Sequence, residues 1–314
     1  MNIEYLLDVF TSVNANSVGV WDSCAYFIQH LRWHKVRLVV LGPKIERLPD
    51  DHPSKPECLK QLSWLFNLVG NDVEQKRLLE HALKLWRERG DDFQVATTLR
   101  FVSNANTYLG LHKEGVKQAE EALEIYKQLG DKTGQALAWQ TLAGSLYEDE
   151  QLDAAEEATL RAIELLADGD NQFTVCACCR TLGDICRDKG EVEKAVSHFE
   201  TALGIASRFN FQFQQFWVHY ELAHLVFREN KFDDAHTHLE RAKSYAINDP
   251  YQLGRAMEEQ ARVWYKQRRF GEAKSEALGA ISAYEKVGAA KDLEDCRRIV
   301  QRVEEETGEP AASH

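Results

Sequence analysis

The feature that most constrains this chain is a repeat of 40 residues. A small residue recurs at Ala82, Ala122, Ala162, Ala202 and Ala242, and a second series runs through Ser63, Ser103, Ala143, Gly183 and Ala223. Each series gains one more member, Ala280 and Ala261, after a step shortened to 38. Turn residues mark every twentieth position: Gly70, Gly90, Gly110 and Gly130, then Asp170, Gly190, Asn210, Asn230 and Pro250. Only Glu150 breaks that row, and Gly288 resumes it beyond the deletion. A fixed period of this size signals a solenoid, in which each unit buries its apolar face only against its neighbours.

Residues 171–210 show what one unit contains. Val175, Cys178, Cys179, Leu182, Ile185 and Cys186 form one apolar stripe. Val192, Ala195, Val196, Phe199, Ala202, Leu203 and Ala206 form another. Both follow the i, i+3, i+4, i+7 spacing of an amphipathic helix, without the alternation of a strand. Gly190 separates them and can take the left-handed conformation that ends a helix. Two helices of roughly 15 residues joined by a short turn are expected to pack as an antiparallel hairpin. The small residues fit that geometry, because a larger side chain at a close crossing forces the helix axes apart.

The run Cys179-x-x-Leu182-Gly183-x-x-Cys186, followed by Ala195, Phe199 and Ala202, resembles the tetratricopeptide repeat (TPR). Leu59, Leu99, Trp139, Cys179, His219 and Met257 hold the first large position in six copies. The resemblance covers about 57–288 and implies an all-α, TPR-type solenoid of stacked antiparallel helix pairs in a right-handed superhelix. Gln75 and Gly115 depart from it, standing where the first Ala of the second helix is expected. The boundaries that follow are a helical N-terminal segment with a Pro-rich joint over 1–55, six repeats over 56–289, a capping helix over 290–306 and a disordered tail over 307–314.

Within the first segment, Ser23 and Gly42 continue the small-residue register, so 18–48 reads as a decayed helical repeat. Trp21, Phe27, Trp33 and Leu38–Leu41 are expected to cap the apolar end of the array. Pro43, Pro49, Pro53 and Pro56 mark the joint, with the first clear helix starting near Pro56, where proline is tolerated. Asp72 with Gln75, and Asp153 with Glu156, match the helix-start capping box. At the other end, Leu293, Cys296, Ile299, Val300 and Val303 form an apolar stripe. The opposite face carries Asp292, Glu294, Arg297, Arg298, Arg302 and Glu304, as a solvating terminal helix should.

With 44% hydrophobic and 28% charged residues, the chain can build a core and is too apolar for disorder. A formal charge of −12 argues against a general nucleic-acid binder and favours solubility and basic partners, while the resemblance implies a protein or peptide as the partner. No run approaches the ~20 apolar residues of a membrane span, and Met1–Phe10 lacks the basic start of a signal peptide. Seven cysteines without framework spacing suit reduced thiols in the cytoplasm or nucleus. The oligomeric state is not legible.

Cys176, Cys178, Cys179 and Cys186 are dense enough to raise a redox or metal role. However, Cys179 and Cys186 lie on the inward stripe, and no paired zinc-ligand spacing accompanies them. His219, His224, His236 and His238 share one hairpin, but 236 and 238 point to different sides of a helix. Asp168-Gly169-Asp170-Asn171 reads as a turn, since Cys179 stands where a calcium loop would close with Glu. Nucleotide-binding, hydrolase and metalloprotease motifs are missing. The expectation is a non-catalytic chain without cofactor or metal, with a cysteine-based redox or metal protein as the enzymatic alternative.

Resemblance to TPRs implies a groove lined by the first helix of each repeat. It places Arg100 and Asn104 there in the second repeat, and Trp217, Tyr220, Glu221, His224, Phe227 and Arg228 in the fifth. In the sixth it places Arg255, Glu258, Glu259, Arg262, Tyr265 and Lys266. Aromatics interleaved with arginines have the composition of an interaction hot spot. Stretches such as QLDAAEEATLRAIELL and FDDAHTHLERAKSYA look like the TPR arrays at the C-terminus of fungal NLR-like (STAND-class) signalling ATPases. That likeness implies a sensing or autoinhibitory role. A co-chaperone-like adaptor for peptide C-termini is the alternative, although Thr141, Ala177 and Thr181 stand where its clamp requires Asn, Lys and Arg.

Overall fold

The structure is a computed structural model that describes residues 42–68, 71–166, 171–246, 249–287 and 289–308. The expected capping role of Trp21, Phe27, Trp33 and Leu38–Leu41, most of the decayed repeat, the turn at 168–170, Gly70, Gly288 and the end of the tail lie outside these residues. The described chain folds into helices: α1 (Lys55–Leu68), α2 (Asp72–Arg89), α3 (Asp92–Tyr108), α4 (His112–Leu129), α5 (Lys132–Glu148), α6 (Leu152–Leu165) and α7 (Gln172–Asp188). They continue as α8 (Val192–Arg208), α9 (Gln212–Arg228), α10 (Phe232–Tyr245), α11 (Pro250–Lys266), α12 (Phe270–Val287) and α13 (Ala290–Thr307). A single further turn of helix covers 42–46, and no strand occurs among the described residues. Two compact units divide at Lys189–Gly190, inside the hairpin that shows the repeat most clearly.

In the first unit α1 packs on α2, α3 on α4 and α5 on α6, and each hairpin stacks on the next, ending with α7. In the second unit α9 packs on α10 and α11 on α12, with α8 against α9 and α13 against α12. The small-residue seams explain this closeness. All six members of the Ala82 series are fully buried, and those of the Ser63 series are buried as well. Between the seams lie the large apolar groups, including Leu78, Leu99, Tyr126, Ile185, Phe199, Phe216 and Tyr284, each sealed from water.

The two departures from the TPR pattern have steric and polar causes. The Ser103 hydroxyl donates to the Gly115 carbonyl at 2.7 Å and lies 3.1 Å from the Ser145 hydroxyl, which in turn is 2.8 Å from that of Thr107. A Cβ on Gly115 would fall 2.8 Å from the Thr107 hydroxyl oxygen and 3.0 Å from that of Ser145. An alanine there would collide with this hydroxyl cluster, so the side chain is missing. Gln75, nearly buried, accepts a hydrogen bond at 3.3 Å from the Asn67 amide.

The turns also show what the row of turn residues was reporting. Gly90, Gly110, Gly130 and Gly190 all have positive φ, and Asn210 and Asn230 adopt the same region at 55° and 59°. Glu150, which breaks the row in sequence, still takes φ 60°, and Arg268 takes 58° at the equivalent position just after the shortened step. A side chain with a Cβ costs about 1–2 kcal/mol in this conformation. Glu150→Gly is therefore expected to raise stability by about 0.5–1 kcal/mol, after the extra entropy of an unfolded glycine is deducted. Urea denaturation of the variant beside the parent protein measures this; an unchanged midpoint would mean that the turn stores no strain.

Two helix starts differ from the sequence reading. The cap of α2 is Asn71, whose side-chain oxygen takes the Glu74 amide at 3.1 Å, so Asp72 is already helical. Asp153 likewise sits inside α6, whose cap Gln151 makes no side-chain capping bond and donates its amide to Asp149. Asp153 instead accepts from Lys189, as does Glu156. The Pro-rich joint is pinned from both sides. Lys55 donates to the Leu48 carbonyl and Asp50, and Arg89 donates to the carbonyls of His52 and Pro53.

Candidate functional site

The first helices of the second unit, α9 and α11, lie beside one another, and α13 takes the next place in that row. Their shared face holds a cleft of 340 Å³, lined by Phe227 of α9, by Arg262, Tyr265 and Lys266 of α11, and by Asp295, Arg298, Ile299 and Arg302 of α13. Helical spacing puts these groups together. Residues 262, 265 and 266 share one face of α11, and 295, 298, 299 and 302 share one face of α13. The sequence reading included the first four lining residues. It missed the contribution of α13, whose charges were assigned to a solvating face and Ile299 to the core stripe.

The remaining predicted residues of this unit form a packed layer rather than open groove. Tyr220 is only 5% exposed. Its ring stacks on Phe216 at 5.9 Å, meets Trp217 and His224 edge-on at 5.6 and 4.6 Å, and lies under the Arg255 guanidinium at 5.3 Å. Trp217 and His224 are half-buried in the same cluster, Glu221 is half-buried on α9, and Arg228 is exposed outside the cleft. Glu258 and Glu259 are buried, at 6% and 2% exposure. Tyr220, Glu258 and Glu259, which the resemblance places in the groove, thus lie below the surface, because packing of α9 against α11 covers them.

The carboxylates act on Arg262. Its guanidinium donates to Glu258 at 2.5 Å and to Glu259 at 3.3 Å, while the Tyr284 hydroxyl donates to the other Glu258 oxygen at 2.8 Å. Burial pushes the Glu259 carboxyl up to about 7, against the opposing pull of Arg262, and His224 lies 3.4 Å from its oxygen. In the first unit, Arg100 is half-buried with its Nε donating to the Thr141 hydroxyl at 3.3 Å, and Asn104 is half-buried one turn along. Ala177 is buried and the Thr181 hydroxyl donates to its carbonyl, so no cation faces Arg100 from those positions.

The described cysteines, and the histidines of the fifth hairpin, are packed. Cys58, Cys176, Cys178, Cys179, Cys186 and Cys296 are buried. Burial raises the pKa of Cys178 and Cys296 to about 12 and of Cys58 to about 11, which suppresses the reactive thiolate. Among the described residues no three His, Cys, Asp or Glu side chains are placed to share a metal ion. His236 stacks on Trp264 and bonds Gln260 and Gln267. His219, 3% exposed, lies 3.1 Å from His238 between their Nδ1 atoms.

That pair makes stability pH-dependent. Burial, reinforced by His238 and Arg241, lowers the pKa of His219 from 6.5 to about 4. Between those values the unfolded chain binds the proton and the folded chain does not, so stability falls as pH drops from 6.5 towards 4. Glu259 works in the opposite direction below pH 7, because there the folded chain binds the proton first. Comparison with His219→Gln isolates the histidine. The parent should lose on the order of 1–2 kcal/mol relative to the variant between pH 7 and pH 5. Parallel curves would contradict this.

Among solved structures, a Rap protein complexed with Competence and Sporulation Factor is similar over 98% of this chain and 91% of its own, with TM-score 0.62 at 15% identity. The fold is that of a TPR-type solenoid. Aspartyl phosphate phosphatase F from Bacillus subtilis is similar to this solenoid over 98% of the chain and 89% of its own length, with TM-score 0.58 and 13% identity. A STAND protein with a tetratricopeptide repeat sensor, from Pyrococcus horikoshii, is similar over 96% of the solenoid, which spans 50% of that larger chain, with TM-score 0.59 and 15% identity. No protein-family model matches the sequence, and no curated protein does.

Proposed function

We propose that this solenoid is a non-catalytic scaffold that binds a protein or peptide on the face shared by α9, α11 and α13. The observation that carries the reading is the cleft itself. Phe227, Tyr265 and Ile299 supply apolar contact, while Arg262, Lys266, Arg298 and Arg302 supply directional polar groups. Aromatic and arginine side chains in one concavity are the residue types that dominate binding energy at interfaces. The similar Rap structure, which is a complex with Competence and Sporulation Factor, supports a ligand-binding role for this architecture. The net charge of −12 weighs against nucleic acid, and no described helix is long and apolar enough to cross a membrane. The buried thiols suit a reducing compartment, the cytoplasm or nucleus.

A narrower role follows within the same reading: the sensing part of an NLR-like signalling protein. The similar STAND protein carries a tetratricopeptide repeat sensor, which supports this role. Amide hydrogen exchange on the full chain, with and without a captured partner, tests the site. Protection over 262–266 and 295–302 is expected; protection confined to the first unit would reject this location.

A further inference from the structure

We infer that the cleft selects an acidic segment that carries an apolar side chain, and that the last helix, α13, is a specificity element of the site as well as its cap. The inference rests on the binding role proposed above and adds the chemistry of the ligand. Four cations line the cleft against one carboxylate, Asp295, in a chain whose formal charge is −12. Two buried carboxylates outside the lining, Glu258 and Glu259, both engage Arg262. Asp295 engages Arg298 at 3.2 Å. Lys266 and Arg302 are exposed in the cleft and have no ion-pair partner among the described residues.

The arrangement is costly without an anion. Arg262 and Lys266 are one helical turn apart on α11, as are Arg298 and Arg302 on α13, and like charges at that spacing destabilise a helix. Each pair faces the same cleft, so the two repel across it as well. A carboxylate-bearing ligand removes both penalties, and complementary charge speeds encounter and rejects basic competitors. Phosphate alone would leave Phe227, Tyr265 and Ile299 uncovered. A cleft of 340 Å³ instead admits one large apolar side chain with the backbone flanking it, placing neighbouring Asp or Glu beside Lys266 and Arg302.

The test uses the full chain as bait for a random peptide display library, with selected peptides then measured in solution. Selected sequences should be rich in Asp and Glu around a Leu, Ile, Phe or Trp. Their affinity should fall at least tenfold for Lys266→Glu with Arg302→Glu, whose retained fold is checked by circular dichroism, and should weaken as salt rises. Inorganic phosphate at equal ionic strength should compete no better than chloride. A peptide of Met1–Phe10, acidic and apolar, serves as a competitor, and its displacement of the selected peptides would support this ligand chemistry. Neutral or basic selected sequences that are lost on Tyr265→Ala would overturn the charge inference and leave the binding role standing. Selected peptides indifferent to both variants, or no enrichment at all, would overturn both.

Discussion

Ala202→Leu should lower the thermal midpoint by several degrees while leaving the far-ultraviolet dichroism helical. Ala202 is fully buried on α8 in the second unit, as are Ala82, Ala122, Ala162, Ala242 and Ala280 at the same place in the other repeats. Three added carbons have no space in that seam. They must push two helices apart or adopt strained rotamers, an overpacking cost of about 1–3 kcal/mol. Leucine's higher burial potential does not offset this, because Ala202 is already sealed in a close-packed interior. Ala202→Gly, which only removes a methyl and costs helix propensity, should lose about 1 kcal/mol. If the leucine variant melted with the parent, the seam would not be a close crossing and the 40-residue register would be misassigned.

The second large effect concerns binding. Tyr265→Ala should cost roughly 2 kcal/mol in affinity for peptides selected on the full chain, and Phe227→Ala a comparable amount, because both rings lie in the cleft. Arg100→Ala, in the first unit, should change affinity little. Tyr220→Ala is a poor probe despite its place in the expected groove. Removing a sealed ring from its packing against Phe216 and Trp217 costs about 3–5 kcal/mol of stability, which would mask any contact with ligand. Arg262→Ala has a similar drawback, since it strips Glu258 and Glu259 of their cation. Affinity lost only with Arg100→Ala would move the site to the first unit.

The solenoid was legible because its signal is redundant. A small residue at one position means little, but twelve at two fixed registers specify crossings that no other arrangement of helices requires. The site was only half legible. Helical spacing located Phe227, Arg262, Tyr265 and Lys266, because position along a first helix determines which way a side chain faces. It could not separate these from Tyr220, Glu258 and Glu259, which lie on nearby positions but are covered where α9 and α11 pack. Depth depends on the neighbouring helix, and a single stripe carries no record of it. The same limit hid Arg298 and Arg302, whose polar face reads as solvated until the cleft beside α11 is seen. Glu150 and Arg268 show a further limit. Their left-handed backbone is imposed by the turn geometry of the repeat, against the preference of the residues themselves.

The strictly local packing within each unit has a kinetic consequence. Every helix touches partners one or two places away along the chain, so each contact closes a short loop and little chain entropy is lost before contacts form. Such an architecture folds quickly by extending from whichever hairpin forms first, and it comes apart in the same piecewise manner. Damage therefore stays near its origin. A broken seam at one crossing should accelerate amide exchange in its own hairpin and the adjoining ones, with the effect fading along the unit, whereas a globular core of equal size would loosen throughout.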